Sequence, residues 1–194
     1  MRISGGRARG IRLQVPKGNA VRPATDGLRQ ALFSSLAQWV PGAFFLDLFA
    51  GSGAYGLEAL SRGAAGGVWV ERHARTAACL ERNVEAVRRS LGRGSEELTV
   101  INADATTVPW PRHEPPDLVF IDPPYEQIQA VAPLLFEGVG RLVQARERPL
   151  VVFELPGEMD LEPPGWTLIR RLGKGPRQPT LALFSPTTGM PSRE

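Results

Sequence analysis

Five short apolar runs, each separated from the next by a helix-patterned stretch, restrict this chain more than any other feature. They cover residues 43–49, 68–71, 98–101, 117–122 and 150–154. The first and fourth of these runs are expected to be strands buried on both faces, as in parallel sheets. The stretches between them carry helical spacing: Leu28, Leu32, Leu36 and Trp39 before the first run, then Leu57-Glu58-Ala59-Leu60. Ala77, Leu80, Val84 and Val87 share one face over residues 73–90, and residues 127–146 are also expected to be helical. Strands joined by helices must lie parallel, with right-handed crossovers that place helices on the sheet's faces. Residues 166–172 and 180–184 flank a polar loop and are expected to pair as an antiparallel hairpin. The expected fold class is therefore α/β: a seven-stranded, mostly parallel Rossmann-like sheet with helices on both faces.

Length and charge divide the chain further. Its 194 residues suit one sizeable domain with a small appendage. Ile3, Ile11 and Leu13 alternate with polar or small residues around Gly5-Gly6, which predicts a small basic β-arm over residues 1–22. The main domain is expected over 23–186, its first helix capped by Thr25, with a tail over 187–194. Residues 1–22 carry a net charge of +6, residues 23–165 of −7, and residues 166–194 of +4. Of the 23 cations 21 are Arg, whose planar fork suits phosphate. Nucleic acid is the partner this polarity favours. Arg2, Arg7, Arg9, Arg12, Lys17, Arg22, Lys174 and Arg177 are the expected RNA contacts. The lone Cys79 forms no internal disulfide, and His73 and His113 lack partners at ligand spacing, so no metal site is expected. No apolar run approaches about 18 residues. A cytoplasmic protein off the membrane is expected.

Residues 47–56 read Asp-Leu-Phe-Ala-Gly-Ser-Gly-Ala-Tyr-Gly, with Gly51, Gly53 and Gly56 in G-x-G-x-x-G spacing between a strand and a helix. That turn lets a ligand approach the backbone closely, and it serves nicotinamide and flavin enzymes as well as methyltransferases. Asp47 discriminates. A dinucleotide's pyrophosphate would be repelled there, whereas the ammonium and sulfonium of S-adenosylmethionine would be attracted. Glu71, 20 residues after Gly51, is placed to accept ribose hydroxyls. Asp104, after the third strand, can accept from an adenine amine. Three acids at three consecutive strand ends fall along the edge where open α/β sheets bind ligands.

A second constellation, Asp122-Pro123-Pro124-Tyr125, ends the fourth strand, expected beside the first at the switch point. The prolines remove N–H donors and leave carbonyls to accept. A carboxylate, prolyl carbonyls and an aromatic face together suit the exocyclic amine of a flat base. Accepting both amine protons favours a pyramidal nitrogen with its lone pair free to attack a methyl group. The structural alternative for both constellations is a rigid turn with solvated acids.

Together these residues resemble the bacterial small-subunit ribosomal RNA methyltransferase D family. The resemblance runs from Met1 to about residue 155, through Met1-Arg2-Ile3, Gly5-Gly6, Gly10, Arg22-Pro23-Ala24-Thr25-Asp26, Arg29, Ala31-Leu32-Phe33, residues 47–64 and residues 122–125. It implies a class I methyltransferase that uses S-adenosylmethionine to methylate the N2 amine of a guanine in 16S rRNA. The substrate would be the small ribosomal subunit or its assembly intermediate, and the enzyme a monomer. It further implies that Asp47, Gly51 and Gly53 meet the methionine end, with Thr25 at its carboxylate, Glu71 the ribose and Asp104 the adenine. Phe49, Ala50, Ser52, Arg72, Ala105 and Asp122 would complete the cofactor site, and Asp122 and Tyr125 would hold the guanine. Tyr55, where the family has a small aliphatic residue, and the loop at 173–180 depart from the pattern. Three rivals are an adenine-N6 or cytosine-N4 DNA methyltransferase, a nicotinamide-dependent oxidoreductase and a non-catalytic RNA-binding assembly factor. Each lacks a feature it needs: a target-recognition domain, an acid-free turn, or a degraded residue 122–125 motif.

Overall fold

The computed structural model describes residues 1–15, 26–95, 97–108, 114–173, 175–176 and 178–187. The five apolar runs form β1 (Phe44–Leu48), β2 (Gly66–Val70), β3 (Leu98–Ile101), β4 (Leu118–Ile121) and β5 (Leu150–Pro156). Four helices accompany them: α1 (Asp26–Ser35), α2 (Ala54–Ser61), α3 (Ala74–Leu91) and α4 (Ile128–Leu142). The last two strands, β6 (Trp166–Leu172) and β7 (Pro179–Pro186), pair antiparallel as expected. β7 also pairs antiparallel with β5, so the hairpin inserts its second strand beside the parallel set. The sheet order is β3-β2-β1-β4-β5-β7-β6, with the first five strands parallel. The order reverses between β1 and β4, which puts a crevice beyond their C-terminal ends.

Helices cover both faces unevenly. Phe45, Trp69, Phe120 and Val152 pack on one face against α1, α2 and α3. Leu46, Val68, Val119, Ile121 and Phe153 pack on the other against α4, where Phe136 stacks on Phe153 with ring centroids 5.7 Å apart. The first helix ends at Ser35, short of the stretch predicted through Trp39. Leu36 and Val40 still donate four residues back. Pro41, however, disfavours helical backbone at the residue before it, and the end loosens into turns.

The N-terminal segment is a hairpin, as its alternation predicts, with Arg2 and Arg12 bridged antiparallel and Ile3 N–H donating to Ile11 O. It is docked rather than projecting. Ile3, Ala8 and Leu13 are buried in the α1/α2/α3 core, while the Arg2, Arg7, Arg9 and Arg12 side chains face solvent. Glu58 of α2, wholly buried, receives Ser4 N–H and Ser4 Oγ–H, both at 2.8 Å, and lies 2.8 Å from Arg62 Nε and 3.5 Å from Arg29 Nε. Arg29 in turn donates to Arg2 O at 2.7 Å. Thr25, Lys17, Arg22, Lys174 and Arg177 lie outside the described residues.

Candidate active site

β1 leaves the sheet through Phe49, which adopts φ 59°, a conformation that costs a bulky residue and persists only where its surroundings enforce it. Gly53, at φ 79°, then starts α2; a Cβ there would come within 2.3 Å of Leu80 Cδ1. The third glycine of the pattern serves packing: a Cβ on Gly56 would meet Trp69 Nε1 at 2.3 Å, so α2 lies close over the sheet because this position is bare.

One cavity of about 600 Å³ opens at the switch point, within the range of small-ligand sites. Asp47, Gly51, Glu71, Asp104, Asp122 and Tyr125 all line it. Phe49, Ala50, Ser52, Arg72 and Ala105 line it too, as do Pro123 and Pro124. The two constellations separated by some seventy residues of sequence therefore share one space. Gly53 does not reach the cavity; it shapes the turn beneath. A separate groove of about 400 Å³, bordered by Phe136, Arg146 and Trp166, holds none of the predicted site residues.

The acids differ in their partners. Asp47, 1% exposed, accepts the Gly56 N–H at 2.9 Å; burial pushes its pKa up to about 8 against that hydrogen bond, with a further contribution from nearby Glu71. Glu71 is held by two backbone donors, Gly51 N–H to Oε2 at 2.9 Å and His73 N–H to Oε1 at 2.7 Å. Its position is thus fixed at the turn. Asp104 receives the Thr106 hydroxyl at 2.6 Å and the Thr106 N–H at 2.8 Å on Oδ1, and these donors hold its pKa below the usual value. Its Oδ2 faces Arg72 at 3.8 Å. Burial, then the neighbouring Glu154 and Asp47, raises the pKa of Asp122 well above the ordinary range. Pro123 is buried, whereas Tyr125 is 39% exposed and opens a 3₁₀ turn, Tyr125–Gln127, at the rim.

Sequence patterns alone missed several residues of this cavity. Glu154, within β5, is 1% exposed and lines it, as do Arg29 and Tyr55, the last already set apart in the sequence by its departure from the family pattern. An acid closing the fifth apolar run was the available signal for Glu154. Met1 and Val15 also line the cavity. The hairpin is thus part of its wall, tied to the turn by Asn83, which donates to both Gln14 O and Ser52 O at 3.0 Å.

Known proteins resemble this chain in sequence and fold. Ribosomal RNA small subunit methyltransferase D of Escherichia coli K12 is 39% identical over 127 residues, 66% of this chain and 61% of its own length. The match thus spans about three-fifths of that relative. The solved structure of Escherichia coli yhhF is 30% identical with a TM-score of 0.79, over 96% of this chain and 97% of that one. A hypothetical protein of Thermus thermophilus is 32% identical with a TM-score of 0.71, over 94% and 98%. The fold is that of class I methyltransferases, and the resemblance read from the sequence is borne out. The model of the family described as "Conserved hypothetical protein 95" matches residues 1–181, and the chain belongs to that family.

Proposed function

We propose that the protein transfers a methyl group from S-adenosylmethionine to the N2 amine of a guanine in small-subunit ribosomal RNA. One observation carries the proposal: residues 122–125 and the acid-flanked glycine turn open on a single cavity. The relatives named ribosomal RNA small subunit methyltransferase D support the RNA and the reaction class.

The cavity's donor set fits the cofactor. Among the described residues its buried carboxyls outnumber the one buried cation, Arg29, in its wall. Burial raises the pKa of Asp47, Asp122 and Glu154, so a cation arriving beside them favours their charged forms. A ligand with an ammonium and a sulfonium brings two. A Cβ on Gly51 would meet nothing closer than Phe49 O at 3.9 Å, so the turn leaves room against its backbone. Asp47 and Gly51 would hold the methionine end, Glu71 the ribose and Asp104 the adenine amine through its outer oxygen. Phe49, Ala50, Ser52, Arg72 and Ala105 would flank these contacts. S-adenosylmethionine supplies, when bound, an electrophilic methyl carbon on sulfur.

Asp122 and a prolyl carbonyl accept the two amine N–H bonds and direct the nitrogen lone pair into the cavity. Once the methyl carbon, released from sulfur as a neutral thioether departs, is bound to the nitrogen, Asp122 would take the proton that the charged nitrogen sheds. Tyr125, at the rim, offers its ring to an extruded base. The four exposed arginines of the hairpin, Arg2, Arg7, Arg9 and Arg12, grip the RNA backbone. Tritiated-methyl transfer to in vitro transcribed 16S rRNA and to 30S particles, followed by nucleoside mass spectrometry, tests the proposal. N2-methylguanosine is the expected product. Methylated adenosine or cytidine, or no methyl transfer at all, would overturn it.

A further inference from the structure

The transfer step just described leaves a pair of buried groups at the cavity floor without a task. Ile121 of β4 is in register with Phe153 of β5, so Asp122 and Glu154, one residue further on, are neighbours on the same face of the sheet. Glu154 is 1% exposed and lines the cavity. Its Oε2 accepts the Tyr55 hydroxyl at 2.6 Å. Tyr55 is itself fixed, stacked on Phe120 at 5.5 Å between centroids with 10° between planes. A carboxylate clamped by a locked tyrosine is rigid enough to discriminate between ligands.

Base chemistry says what it would discriminate. Beside its exocyclic amine, guanine carries a ring N1–H, so its edge offers donors in a row. Adenine and cytosine carry a bare ring nitrogen, an acceptor, in the corresponding place. An ionised carboxylate only accepts. Two adjacent carboxylates therefore complement the guanine edge and face a lone pair in the other two bases.

We infer that Glu154, held by Tyr55, selects guanine by accepting its ring N1–H through Oε1 while Asp122 accepts from the neighbouring amine. This rests on the reading of the cavity as a nucleobase site. A hydrogen bond to a charged group that a substrate analogue cannot make costs that analogue about 10–100-fold. Burial pushes the pKa of Glu154 up to about 7, and the Tyr55 hydroxyl opposes that rise. Tyr55 from α2 and Asp122 beyond β4 face it; in the same cavity wall Arg29 from α1 acts on Tyr55, and Asp47 in β1 acts on Asp122. The accepting form is the ionised one, so guanine transfer should rise with pH through about 7.

The test uses the full chain and two RNA fragments, synthesised around the position that wild-type protein methylates in 16S rRNA. One carries guanine there; the other carries 2-aminopurine, which keeps the amine but lacks the ring N–H. Wild type should favour guanine by about 10–100-fold in kcat/KM. Glu154→Gln, which can donate as well as accept, should bring that ratio near one and erase the rise near pH 7. Tyr55→Phe should move the rise to higher pH. A Glu154→Gln protein with the wild-type ratio and the wild-type pH profile would overturn the inference while leaving guanine methylation intact. A wild-type protein that methylates no guanine removes the functional reading itself. Should Glu154→Gln fail to fold, an unmoved pH profile in Tyr55→Phe overturns the inference.

Discussion

Two sets of buried carboxyls sit on the same face of the sheet, equally hidden from water and treated in opposite ways. Glu58 is 0% exposed, with Arg29 and Arg62 beside it and Ser4 donating twice. Asp47 and Glu154 are each 1% exposed, and their hydrogen bonds come from neutral donors, the Gly56 N–H and the Tyr55 hydroxyl. A buried charge that is paired and fully hydrogen-bonded anchors structure; one left without a counter-charge carries a cost that folding alone does not repay. The first set ties the N-terminal hairpin to α1 and α2. The second lines the cavity, where an incoming cation or a donor-rich base would relieve it.

The sharpest way to break this contrast is to cut one acid from each set. Asp122→Ala should lower single-turnover methyl transfer by roughly 10²–10⁴-fold. S-adenosylhomocysteine affinity measured by calorimetry should stay within about twofold if, as proposed, Asp122 meets the base rather than the cofactor's main contacts. Equal loss of affinity and transfer would contradict that role. Glu58→Ala should do the reverse. It removes the buried counter-charge shared by Arg29 and Arg62, leaving Arg29 only Asp26 and Arg2 O as partners, and should cost about 3 kcal/mol in urea unfolding. A Glu58→Ala protein of unchanged stability would mean that the ion cluster does not anchor the hairpin.

Proton linkage probes the same difference more gently. Asp47 has a folded pKa of about 8 against an ordinary 3.8. Between those values the folded chain keeps a proton that the unfolded chain has lost. The group's contribution is therefore fully present below about pH 4 and lost as pH rises towards 8. Glu154, raised from 4.5 to about 7, acts in the same direction over a narrower window. Stability without ligand should fall by several kcal/mol, of order 3–5, between pH 5 and pH 8. Asp47→Asn keeps an acceptor for the Gly56 N–H and should remove roughly half of that fall. An identical pH dependence in the variant would show that Asp47 is not the buried proton holder.

The same two regions explain what sequence alone made legible. The strands were readable because β1, β2, β4 and β5 are buried on both faces, which leaves an unbroken apolar signature. Glu71 and Asp122 were readable because each closes such a run, Asp47 because it sits near the end of β1 and Asp104 because it follows β3, so strand order alone brings them to one edge. Tyr55 meeting Glu154 spans 99 residues and Ser4 meeting Glu58 spans 54. Nothing in the local pattern of either partner specifies the other. Those contacts follow from how α2 lies over the sheet, which depends on bare positions such as Gly56. The hairpin's alternation was visible, but the docking of Ile3 and Leu13 on α1, α2 and α3 was not, because two apolar residues in a basic stretch carry too little signal.

That docking changes how the hairpin's proposed grip on RNA must be tested, and the expected effect is the smallest of those considered. Deleting residues 1–15 would remove Ile3 and Leu13 from the core and Met1 and Val15 from the cavity wall, so cofactor affinity should suffer along with RNA binding. Substituting Arg2, Arg7, Arg9 and Arg12 by Gln leaves those contacts in place, since all four side chains face solvent. Each phosphate contact contributes about 0.7–0.9 to the slope of log affinity against log salt. The fourfold variant should therefore bind 16S rRNA with a slope shallower by up to roughly 3, with S-adenosylhomocysteine affinity unchanged. A slope equal to that of wild type would remove the hairpin from the RNA interface. Its buried half would then be its whole purpose, as a wall of the cavity held in place by Glu58.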